Sequence, residues 1–387
     1  MDPQVSLLYV STVCPTIRLF LAPYASHFRA LGWRVDAAAS GATRDPVLRE
    51  AFDHVYEVPL PRSILDLKGL MRGERAISTI LSSRPQIVHT HTPIASFITR
   101  LATRRLPQAR RPAVAYTAHG FHFYRGGHVA ANALFLAAER MAGRWTDRLV
   151  VINDEDYEAA RAHRIVRSTR LVRMPGIGVD TDFYSRTRLG PGDAAETSAA
   201  LGLDARMAMF VVAGELNKNK RPGDVIEALA LMRHKNVALV FGGEGSERRR
   251  LESLVRARGL CGRVRFAGFV QDIRPLVGSA IALVSASHRE GLSRSIMEAH
   301  ALEVPVVAST ARGNLELVHP DSGLIFATGD VNQLAAHMDW LLDHPVERLE
   351  MGRCGRRRMV ERYDLRNVIR LHEQMYGDML AARRAMP

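Results

Sequence analysis

Residues 280–299, AIALVSASHREGLSRSIMEA, join a strand-like segment to a helix-like one. The run AIALVSAS is short and apolar, as is typical of a strand that is buried on both faces of a parallel sheet. A polar turn follows with Glu290 next to Gly291, and Glu298 comes eight positions after Glu290 in the predicted helix. A strand, a glycine-containing turn and a helix form the repeating unit of a doubly wound α/β fold.

The same alternation of strand and helix occurs twice along the chain. Before residue 178 the strand-like runs are VSLLYVST (5–12), WRVDAAA (33–39), QIVHTH (86–91), AVAYTAH (113–119) and DRLVVIN (147–153). After residue 204 they are AMFVVAGE (208–215), VALVFGGEG (237–245), VRFAGFV (264–270), AIALVSAS (280–287), VPVVAS (304–309) and GLIF (323–326). The 387 residues therefore predict two α/β domains, each a doubly wound parallel sheet.

We predict a first domain over residues 1–182, a linker over 183–204 and a second domain over 205–363. The linker is placed there because the stretch 178–204 is polar and contains glycine and proline. The helical segment at about 364–387 follows without a new strand and is expected to pack back on the first domain. Two open sheets that face each other across a cleft present the carboxyl ends of their strands to it, so residues directly after strands are the candidates for function.

The net charge of +13 favours an anionic partner. Residues 1–180 hold 24 Lys and Arg against 15 Asp and Glu, and so carry most of the excess. No zinc-finger spacing or aromatic RNA-binding run accompanies these charges, and we expect no nucleic-acid partner. An anionic membrane surface or a diphosphate-bearing substrate fits the charge instead.

The sequence predicts a cytoplasmic protein. Its three cysteines, Cys14, Cys261 and Cys354, are widely spaced, which is typical of a reduced protein without structural zinc. The N-terminal apolar run lacks the basic residues of a signal peptide, and no apolar stretch reaches the roughly 20 residues that span a bilayer.

Histidines end two of the predicted strands in the first half. His119 follows AVAYTA and precedes Gly120, a position from which it could point into the cleft toward a sugar hydroxyl or an oxyanion. His89 and His91 end the preceding strand. A core histidine bonded to backbone carbonyls is the alternative for His119, and the spacing leaves it open. No carboxylate or cysteine accompanies the three histidines at ligand spacing, so we do not expect a metal there.

Two acidic clusters, Asp154-Glu155-Asp156 and Asp180-Thr181-Asp182, have the spacing of the metal-binding Asp-x-Asp pairs of some sugar-nucleotide enzymes. The first follows Asn153 at a predicted helix start, where acidic residues stabilise the helix dipole and cap N–H groups. The second lies in the polar stretch between the domains. We predict that neither binds metal, and that the protein uses no metal and no other cofactor.

A cluster of cations follows the strand AMFVVA. Gly214 begins the loop, and Lys218, Lys220 and Arg221 follow before the next predicted helix. Such cations could clamp a diphosphate together with the N–H groups of the helix start. A solvated run of charges is the alternative, and the position directly after a strand speaks against it.

Glu290 and Glu298 have two interpretations. Ser295 and Glu298 match the S-x-x-E capping box, in which Glu298 closes the start of the helix. In the other interpretation both carboxylates face the cleft and accept hydrogen bonds from a polyhydroxylated ligand, while N–H groups of the turn meet its phosphate. Local spacing leaves both interpretations open.

With seven residues between them, Glu290 and Glu298 match the E-x7-E motif of the retaining glycosyltransferases of family 4, and REGLSRSIMEA is similar to that family's REGLPRSIMEA. Other similar segments occur in the family's order over nearly the whole chain: THTPIAS, YTAHGFHFY, ERMAGRWTDRLVVINDEDYE, PGIGVDTDFY and GELNKNKRP. The chain therefore resembles family members that assemble bacterial capsules, exopolysaccharides and other glycans.

The resemblance implies a GT-B fold, with two Rossmann-like domains facing across a cleft. It assigns the nucleotide sugar mainly to the second domain and the acceptor to the first. Three positions correspond to the family's reactive residues: Glu290 meets the hydroxyls of the donor sugar, Lys220 the diphosphate, and His119 the region near the donor sugar and the reaction centre. Glu298 corresponds to the residue that binds the ribose, and the other donor-binding positions are Gly291, Leu292, Ser293, Gly214, Lys218, Arg221, Phe269 and Val270.

The chain departs from the family pattern in two loops. The family's Gly-Arg-Leu is Gly214-Glu215-Leu216 here, so the usual arginine is missing and Lys218 or Arg221 is expected to compensate. The glycine-rich loop of the first domain is replaced by the segment TVCPT at residues 12–16. We assign Thr12, Thr16 and His91 to the acceptor side.

The implied reaction is a retaining, metal-independent transfer of a hexose or N-acetylhexosamine from a nucleotide sugar, with UDP as its nucleotide, to an acceptor hydroxyl. The acceptor attacks the face from which the diphosphate leaves, and no nucleophile of the enzyme stands out. The basic first half and the amphipathic segment PRSILDLKGLMRGERA (61–76) favour docking on the inner face of the plasma membrane, to reach a polyprenyl-diphosphate-linked sugar. The alternatives are a soluble small-molecule acceptor, or a UDP-sugar epimerase or hydrolase of the same fold.

Overall fold

The computed structural model describes residues 4–61, 63–124 and 126–385. Arg62, part of the predicted amphipathic segment 61–76, lies outside the described residues, as do the first three and last two residues of the predicted domain ranges. The fold divides into two compact units. The first comprises the chain up to Ile177 together with the part from Val368 onward, and the second comprises Gly178–Asn367.

The first unit contains a seven-stranded parallel sheet. Its strands are β1 (Ser6–Val13), β2 (Arg34–Ser40), β3 (His54–Glu57), β4 (Ile87–His91), β5 (Ala113–Ala118), β6 (Arg148–Val151) and β7 (Leu171–Arg173). They lie in the order β3-β2-β1-β4-β5-β6-β7. The order of the strands reverses between β1 and β4, so the edge beyond this pair is the switch point at which doubly wound sheets bind ligands.

Helices connect the strands of the first unit. They are α1 (Cys14–Phe20), α2 (Ala22–Ala30), α3 (Pro46–Ala51), α4 (Leu67–Ile80), α5 (Pro93–Arg105), α6 (Val129–Gly143) and α7 (Asp154–Ala162). The segment between β1 and β2 forms two helices rather than one, because Pro23 stands in the first turn of α2 and cannot donate a backbone hydrogen bond to continue α1.

The second unit repeats the topology with six parallel strands. These are β8 (Ala208–Ala213), β9 (Val237–Gly242), β10 (Val264–Gly268), β11 (Ala282–Ser285), β12 (Val306–Ser309) and β13 (Gly323–Phe326), in the order β10-β9-β8-β11-β12-β13. Its switch point lies beyond β8 and β11. The helices are α8 (Asp193–Ala200), α9 (Pro222–Leu231), α10 (Arg248–Ala257), α11 (Arg274–Gly278), α12 (Arg294–Ala301), α13 (Arg312–Leu317), α14 (Val331–Asp343) and α15 (Pro345–Arg358).

The two sheets confirm the predicted fold class of two Rossmann-like α/β domains. Central strands such as β9 are buried along their whole length, because helices cover both faces of each sheet. The sequence prediction misses β3 and β7, which are short edge strands without a continuous apolar run and are only partly buried. The stretch predicted as a linker contains α8, and the last helix, α16 (Leu365–Arg384), belongs to the first unit from Val368 onward.

Within the part of the chain that the structure describes, no helix is both long and apolar enough to cross a bilayer.

Candidate active site

An ion pair marks the switch point of the second sheet. Lys220 follows β8 and Glu290 follows β11, and these two strands are parallel neighbours. The Lys220 Nζ atom donates to Glu290 Oε1 at 2.5 Å, and the two side chains are 26% and 12% exposed. Because the pair is partly shielded from water, the attraction between its charges exceeds that of an exposed surface pair. Two residues that are 70 positions apart therefore form one charged centre.

Hydrogen bonds between the two loops hold this centre in place. The Asn217 side chain accepts from the backbone N–H of Lys220 at 3.0 Å and shapes the turn before α9. Asn219 then joins the loops twice: its Nδ2 donates to the Arg289 carbonyl at 2.9 Å, and its own carbonyl accepts from the His288 N–H at 2.7 Å. The position of Lys220 against Glu290 is thus determined by backbone contacts on both sides of the pair.

Two glycines allow the loops at this edge to pack backbone against backbone. A Cβ atom built on Gly243 would lie 2.0 Å from the Gly214 carbonyl oxygen, and one on Gly313 would lie 2.3 Å from the Gly291 carbonyl oxygen. Either distance is far inside van der Waals contact, so a side chain at these positions would push the neighbouring loops apart. Gly214 itself has a φ of 135°, which a residue with a side chain rarely adopts.

Glu298 is buried on α12, and its partners are side chains. Arg294, one turn earlier on the helix, donates from Nε to Glu298 Oε1 at 2.7 Å. The Tyr184 hydroxyl also bonds to Glu298 and to Arg294. Burial raises the pKa of Glu298, while the nearby Arg294 charge and the two side-chain hydrogen bonds act in the opposite direction.

The capping-box interpretation of Glu298 is wrong. The helix begins at Arg294 with Ser293 as its N-cap residue, so Ser295 lies inside the first turn and cannot cap it. The Ser295 hydroxyl is instead bonded to that of Ser293 at 3.1 Å. Glu298 is thus a buried carboxylate, and the lone pairs that Arg294 and Tyr184 do not use can accept from a ligand.

The other predicted donor-binding residues belong to the same unit. Gly291 and Leu292 are half-buried between β11 and α12, and Ser293 is buried. Phe269, directly after β10, exposes 71% of its surface, and Val270 is half-buried beside it. An exposed aromatic ring beyond a strand end is a surface on which a flat base can stack.

The cations that follow β8 differ in how free they are to bind an anionic ligand. Arg221 donates from Nε to Asp224 Oδ2 at 2.7 Å, so its guanidinium is already committed within α9. Lys218 is exposed. Arg312, which the sequence analysis does not single out, donates from Nε to the Glu290 carbonyl at 3.3 Å and brings another cation to this edge.

In the first unit, His91 and His119 meet at the edge of the sheet. His91 ends β4 and His119 follows β5, and the His91 Nδ1 lies 3.0 Å from His119 Nε2. No described residue bonds to the buried Nε2 of His91. The tautomer that avoids a buried, unpaired N–H has the His91 proton on Nδ1, donating to His119. His119 then carries its own proton on Nδ1.

Burial keeps these imidazoles neutral. It lowers the pKa of His119 to about 4, with repulsion from His372 as the second cause, and it lowers the pKa of His91 well below its usual value. His119 is therefore a hydrogen-bonding group rather than a cation near neutral pH.

Residues of the last helix, α16, pack against His89, next to the His91–His119 pair. His89 lies 2.5 Å from the Tyr376 hydroxyl through Nδ1 and 2.8 Å from the Thr117 hydroxyl through Nε2. The His372 ring stacks against His89 with its centroid 5.8 Å away. Sequence reasoning misses Tyr376 and His372, because a long amphipathic helix gives no sign of which residues it inserts into the histidine cluster.

Thr12 occupies the switch point of the first sheet. Its hydroxyl lies 2.7 Å from that of Thr92, and its backbone N–H donates to the same Thr92 oxygen at 3.0 Å. Thr92 has a φ of 68°, which is strained for a β-branched residue and is typical of functional loops. Thr16 is half-buried one turn into α1.

The acidic cluster after β6 has a structural role. The Asn153 side chain accepts from the Asp156 N–H at 2.8 Å at the start of α7, as a helix cap does. In the described ranges no group of three or more His, Cys, Asp or Glu side chains is arranged to hold a metal ion.

Known proteins match both units. A family model described as "Glycosyl transferases group 1" matches residues 193–358, and one described as "Glycosyl transferase 4-like domain" matches residues 17–176. The putative glycosyltransferase EpsD of Bacillus subtilis (strain 168) is 33% identical over 368 residues, which are 94% of each chain. The UDP-Gal:alpha-D-GlcNAc-diphosphoundecaprenol alpha-1,3-galactosyltransferase of Escherichia coli is 24% identical over 82% of this chain and 80% of its own length.

A solved structure has the same fold. Anabaena Alr3699/HepE in complex with UDP-glucose superposes with a TM-score of 0.82 at 18% identity, covering 96% of this chain and all of that one. Fold and sequence together define the class of the protein as a glycosyltransferase. The chain belongs to the family 4 glycosyltransferases with the GT-B fold, of the capsule and exopolysaccharide type.

Proposed function

We propose that the protein transfers a hexose or N-acetylhexosamine from a UDP-sugar to a hydroxyl of a polyprenyl-diphosphate-linked sugar during assembly of a cell-surface glycan. The single observation that carries the proposal is the Lys220–Glu290 pair at the switch point of the second sheet. A phosphate-directed cation and a carboxylate that accepts from hydroxyls are the two groups that a sugar diphosphate requires at one place.

The pair can serve both parts of the donor without separating. The Lys220 ammonium has three N–H donors, and one of them contacts Glu290. The remaining two can reach diphosphate oxygens, while the Glu290 carboxylate keeps lone pairs for hydroxyls of the donor sugar. Glu298, held by Arg294 and Tyr184, is proposed to accept from the ribose hydroxyls.

The first unit is proposed to present the acceptor. His119 is neutral and carries an Nδ1 proton in the favoured tautomer, so it can donate a hydrogen bond to a sugar hydroxyl at the reaction centre. Thr12 and Thr92 supply hydroxyls at the switch point of the first sheet. The second unit, through Lys220, stabilises the charge that develops on the leaving diphosphate.

We propose that the transfer retains the anomeric configuration and needs no metal. The bond between the anomeric carbon and the diphosphate oxygen breaks, and the acceptor oxygen forms its bond to the same face. The leaving phosphate takes the proton of the acceptor hydroxyl. Lys220 acts by charge alone in this step and transfers no proton.

The lipid-linked acceptor is supported by the relative from Escherichia coli, whose name specifies a diphosphoundecaprenol-linked substrate. The charge of the chain agrees, because residues 1–180 carry the larger excess of Lys and Arg. We therefore propose a cytoplasmic protein that binds peripherally to the inner face of the plasma membrane. Sedimentation with anionic liposomes at low salt, lost at high salt, is the expected behaviour; no sedimentation at low salt would contradict it.

The reaction is tested by measuring UDP release over a panel of UDP-sugars, with and without a polyprenyl-diphosphate-linked sugar. Release that depends on the acceptor is expected for one donor, and Lys220→Ala and Glu290→Ala should each abolish most of it. Lys235→Ala is the matched control, because Lys235 lies in the same unit and its ammonium donates to the Met232 carbonyl at 2.7 Å, away from the Lys220–Glu290 pair. Full acceptor-dependent turnover in both site variants would overturn the assignment, and donor turnover without any acceptor would point to an epimerase or hydrolase.

A further inference from the structure

An apolar cavity opens in the first unit beside Thr12. Its volume is about 790 Å³, within the range of about 300–1,000 Å³ of pockets that hold small organic ligands. Thr12 and Val13 line it where β1 ends. The rest of its wall comes from α4, α5, α6, the loop before α4 and the loop after β5. It is mainly apolar, with the polar side chains of Ser63, His122 and Glu139 among Ile64, Leu70, Ile94, Phe97, Leu134 and Phe135.

We propose that this cavity binds the first isoprene units of the acceptor's polyprenyl chain, an inference that rests on the proposed function and names the subsite for the lipid. The cavity begins at the switch point of the first sheet, at the residue assigned to the acceptor. A ligand whose sugar and diphosphate lie beside Thr12 can therefore place its hydrocarbon chain in this apolar space.

The one acidic side chain in the lining, Glu139, is already neutralised. Its carboxylate accepts from Arg100 Nη2 at 3.1 Å and from the Tyr116 hydroxyl at 3.1 Å, and all three side chains are buried. The wall consequently offers little to a ligand that needs many hydrogen bonds, such as a free sugar or a peptide backbone. A hydrocarbon chain needs none and gains free energy from burial there.

Exposed apolar side chains extend the cavity outward. Ile64 is 42% exposed and Leu134 is 56% exposed at the cavity itself, and Leu65, Leu67 and Met71 next to it are 84%, 67% and 55% exposed. Adjacent exposed apolar residues of this size indicate a surface that meets a lipid or a partner. Their position lets a chain longer than the cavity leave it along an apolar path.

The charge of α4 favours an occupant that comes from an anionic membrane surface. Lys68, Arg72 and Arg75 are exposed on α4, the helix that contributes Leu70 to the wall. The acidic residues of this segment are engaged: Asp66 accepts from the Gly69 N–H at 2.8 Å, and Glu74 accepts from Arg105 at 2.7 Å. At 100° per residue these cations lie on the side of α4 opposite Leu70, facing away from the cavity wall. They complement the anionic headgroups of a membrane that holds a lipid-linked acceptor.

The first test measures binding of farnesyl diphosphate by titration calorimetry, using the full-length protein with UDP present in excess to occupy the donor site. We expect binding that Leu134→Asp and Ile64→Asp each weaken at least tenfold, since every methylene no longer buried changes affinity by about fourfold. Both side chains are substantially exposed, so the variants should fold. Leu231→Asp, at a 55% exposed leucine that ends α9 in the second unit, is the control and should bind as the wild type does.

Isoprenoid diphosphates of different chain length show whether the protein recognises the hydrocarbon chain or only the diphosphate. Geranyl diphosphate should bind more weakly than farnesyl diphosphate, and inorganic diphosphate should compete only partly. Equal affinity for the two isoprenoids, or full competition by inorganic diphosphate, would show that only the head is recognised and would overturn the proposal. Association into dimers that Leu134→Asp abolishes, with no binding of farnesyl diphosphate, would assign the cavity to a second copy of the chain and would also overturn it.

A kinetic test distinguishes this inference from the proposed function. With lipid-linked acceptors, Leu134→Asp should raise KM for the long-chain acceptor at least tenfold and leave KM for the UDP-sugar unchanged. Transfer with the same KM for long-chain and short-chain acceptors would overturn the lipid subsite while the proposed function stands. Isoprenoid binding that Leu134→Asp removes, without transfer to any lipid-linked sugar, would support the subsite and contradict the proposed function.

Discussion

At the switch point of the second sheet a lysine meets a glutamate, whereas at that of the first sheet two threonine hydroxyls meet, with two neutral imidazoles on the neighbouring strand ends. Both edges are built from the same strand order, β3-β2-β1-β4 and β10-β9-β8-β11. The fold therefore provides the position, and the residues after the strands provide the chemistry.

Under the proposed function, this difference in charge separates the two tasks of a glycosyltransferase. A charged edge suits a nucleotide diphosphate, and it keeps its ions paired when the ligand is absent. A neutral edge suits an uncharged hydroxyl, because a cation beside it would lower the nucleophilicity of the attacking oxygen.

A fall in pH should lower the stability of the first unit more than that of the second. Burial lowers the pKa of His89, His91, His119 and His372, to about 4 for the last two. In the unfolded chain histidine binds its proton near pH 6.5, so between pH 6.5 and 4 the unfolded state holds more protons than the folded one. The free energy of unfolding then falls as the pH falls, by up to about 1.4 kcal/mol per pH unit for each such histidine.

In the second unit, His300 is the described histidine with a comparable shift, its pKa lowered by burial to about 4. Hydrogen exchange measured by peptide at pH 7 and pH 5 should therefore show loss of protection in the first unit before the second. His372→Gln removes one titrating group and should reduce the pH slope of the first unit. Loss of hydrogen-exchange protection in the second unit before the first would contradict this prediction.

Removal of the charged pair should have the next largest effect. Lys220→Met is expected to lower kcat/KM by about a hundredfold, as does loss of one donor to a developing oxyanion. Glu290→Gln should cost about tenfold, and the double variant should lose less than the two single effects combined, with a coupling of about 1–3 kcal/mol. Steady-state kinetics with the UDP-sugar tests this, with Lys235→Met as the control. Strict additivity would mean that the two residues act independently.

Thr92, at the switch point of the first sheet, should contribute to the stability of the protein through its hydroxyl. Thr92→Ala keeps the positive φ but loses the hydroxyl that Thr12 contacts, and we expect it to destabilise the protein by about 1–2 kcal/mol. Thr92→Gly loses the same hydroxyl but relieves the backbone, so it should unfold in urea closer to the wild type. Thr79→Ala controls for the loss of a threonine hydroxyl on an exposed helix. A glycine variant less stable than the alanine variant would contradict this account.

The smallest effect is expected at Tyr184. Tyr184→Phe removes a hydroxyl that bonds to Glu298 and should raise KM for the UDP-sugar by about two- to tenfold, the value of one hydrogen bond, with kcat little changed. Tyr363→Phe, whose hydroxyl donates to the Glu316 carbonyl at 3.4 Å in the same unit, is the control. A fall in kcat with KM unchanged would place Tyr184 with the reacting groups instead.

The sequence predicts most of the fold and part of the site. Runs such as AMFVVA and VALVFG are apolar because parallel strands are covered on both faces, so their composition identifies them as strands. The edge strands β3 and β7 are short and only partly buried, so their composition does not distinguish them from loops. Glu290 and Lys220 are identified by position after a strand and by resemblance, but local spacing could not decide the role of Glu298.

The apolar pattern of the chain sets the alternation of strands and helices, the two repeats and the residues that come directly after strands. The pairing of side chains comes from the folded structure: Lys220 with Glu290, Tyr184 with Glu298, His91 with His119, and Tyr376 with His89. Apolar periodicity is a local property of the chain, whereas these contacts depend on which strands become neighbours in a sheet and on how distant segments pack against it. The packing of α16 joins His89 to Tyr376 across 287 residues, and no local pattern records such a contact.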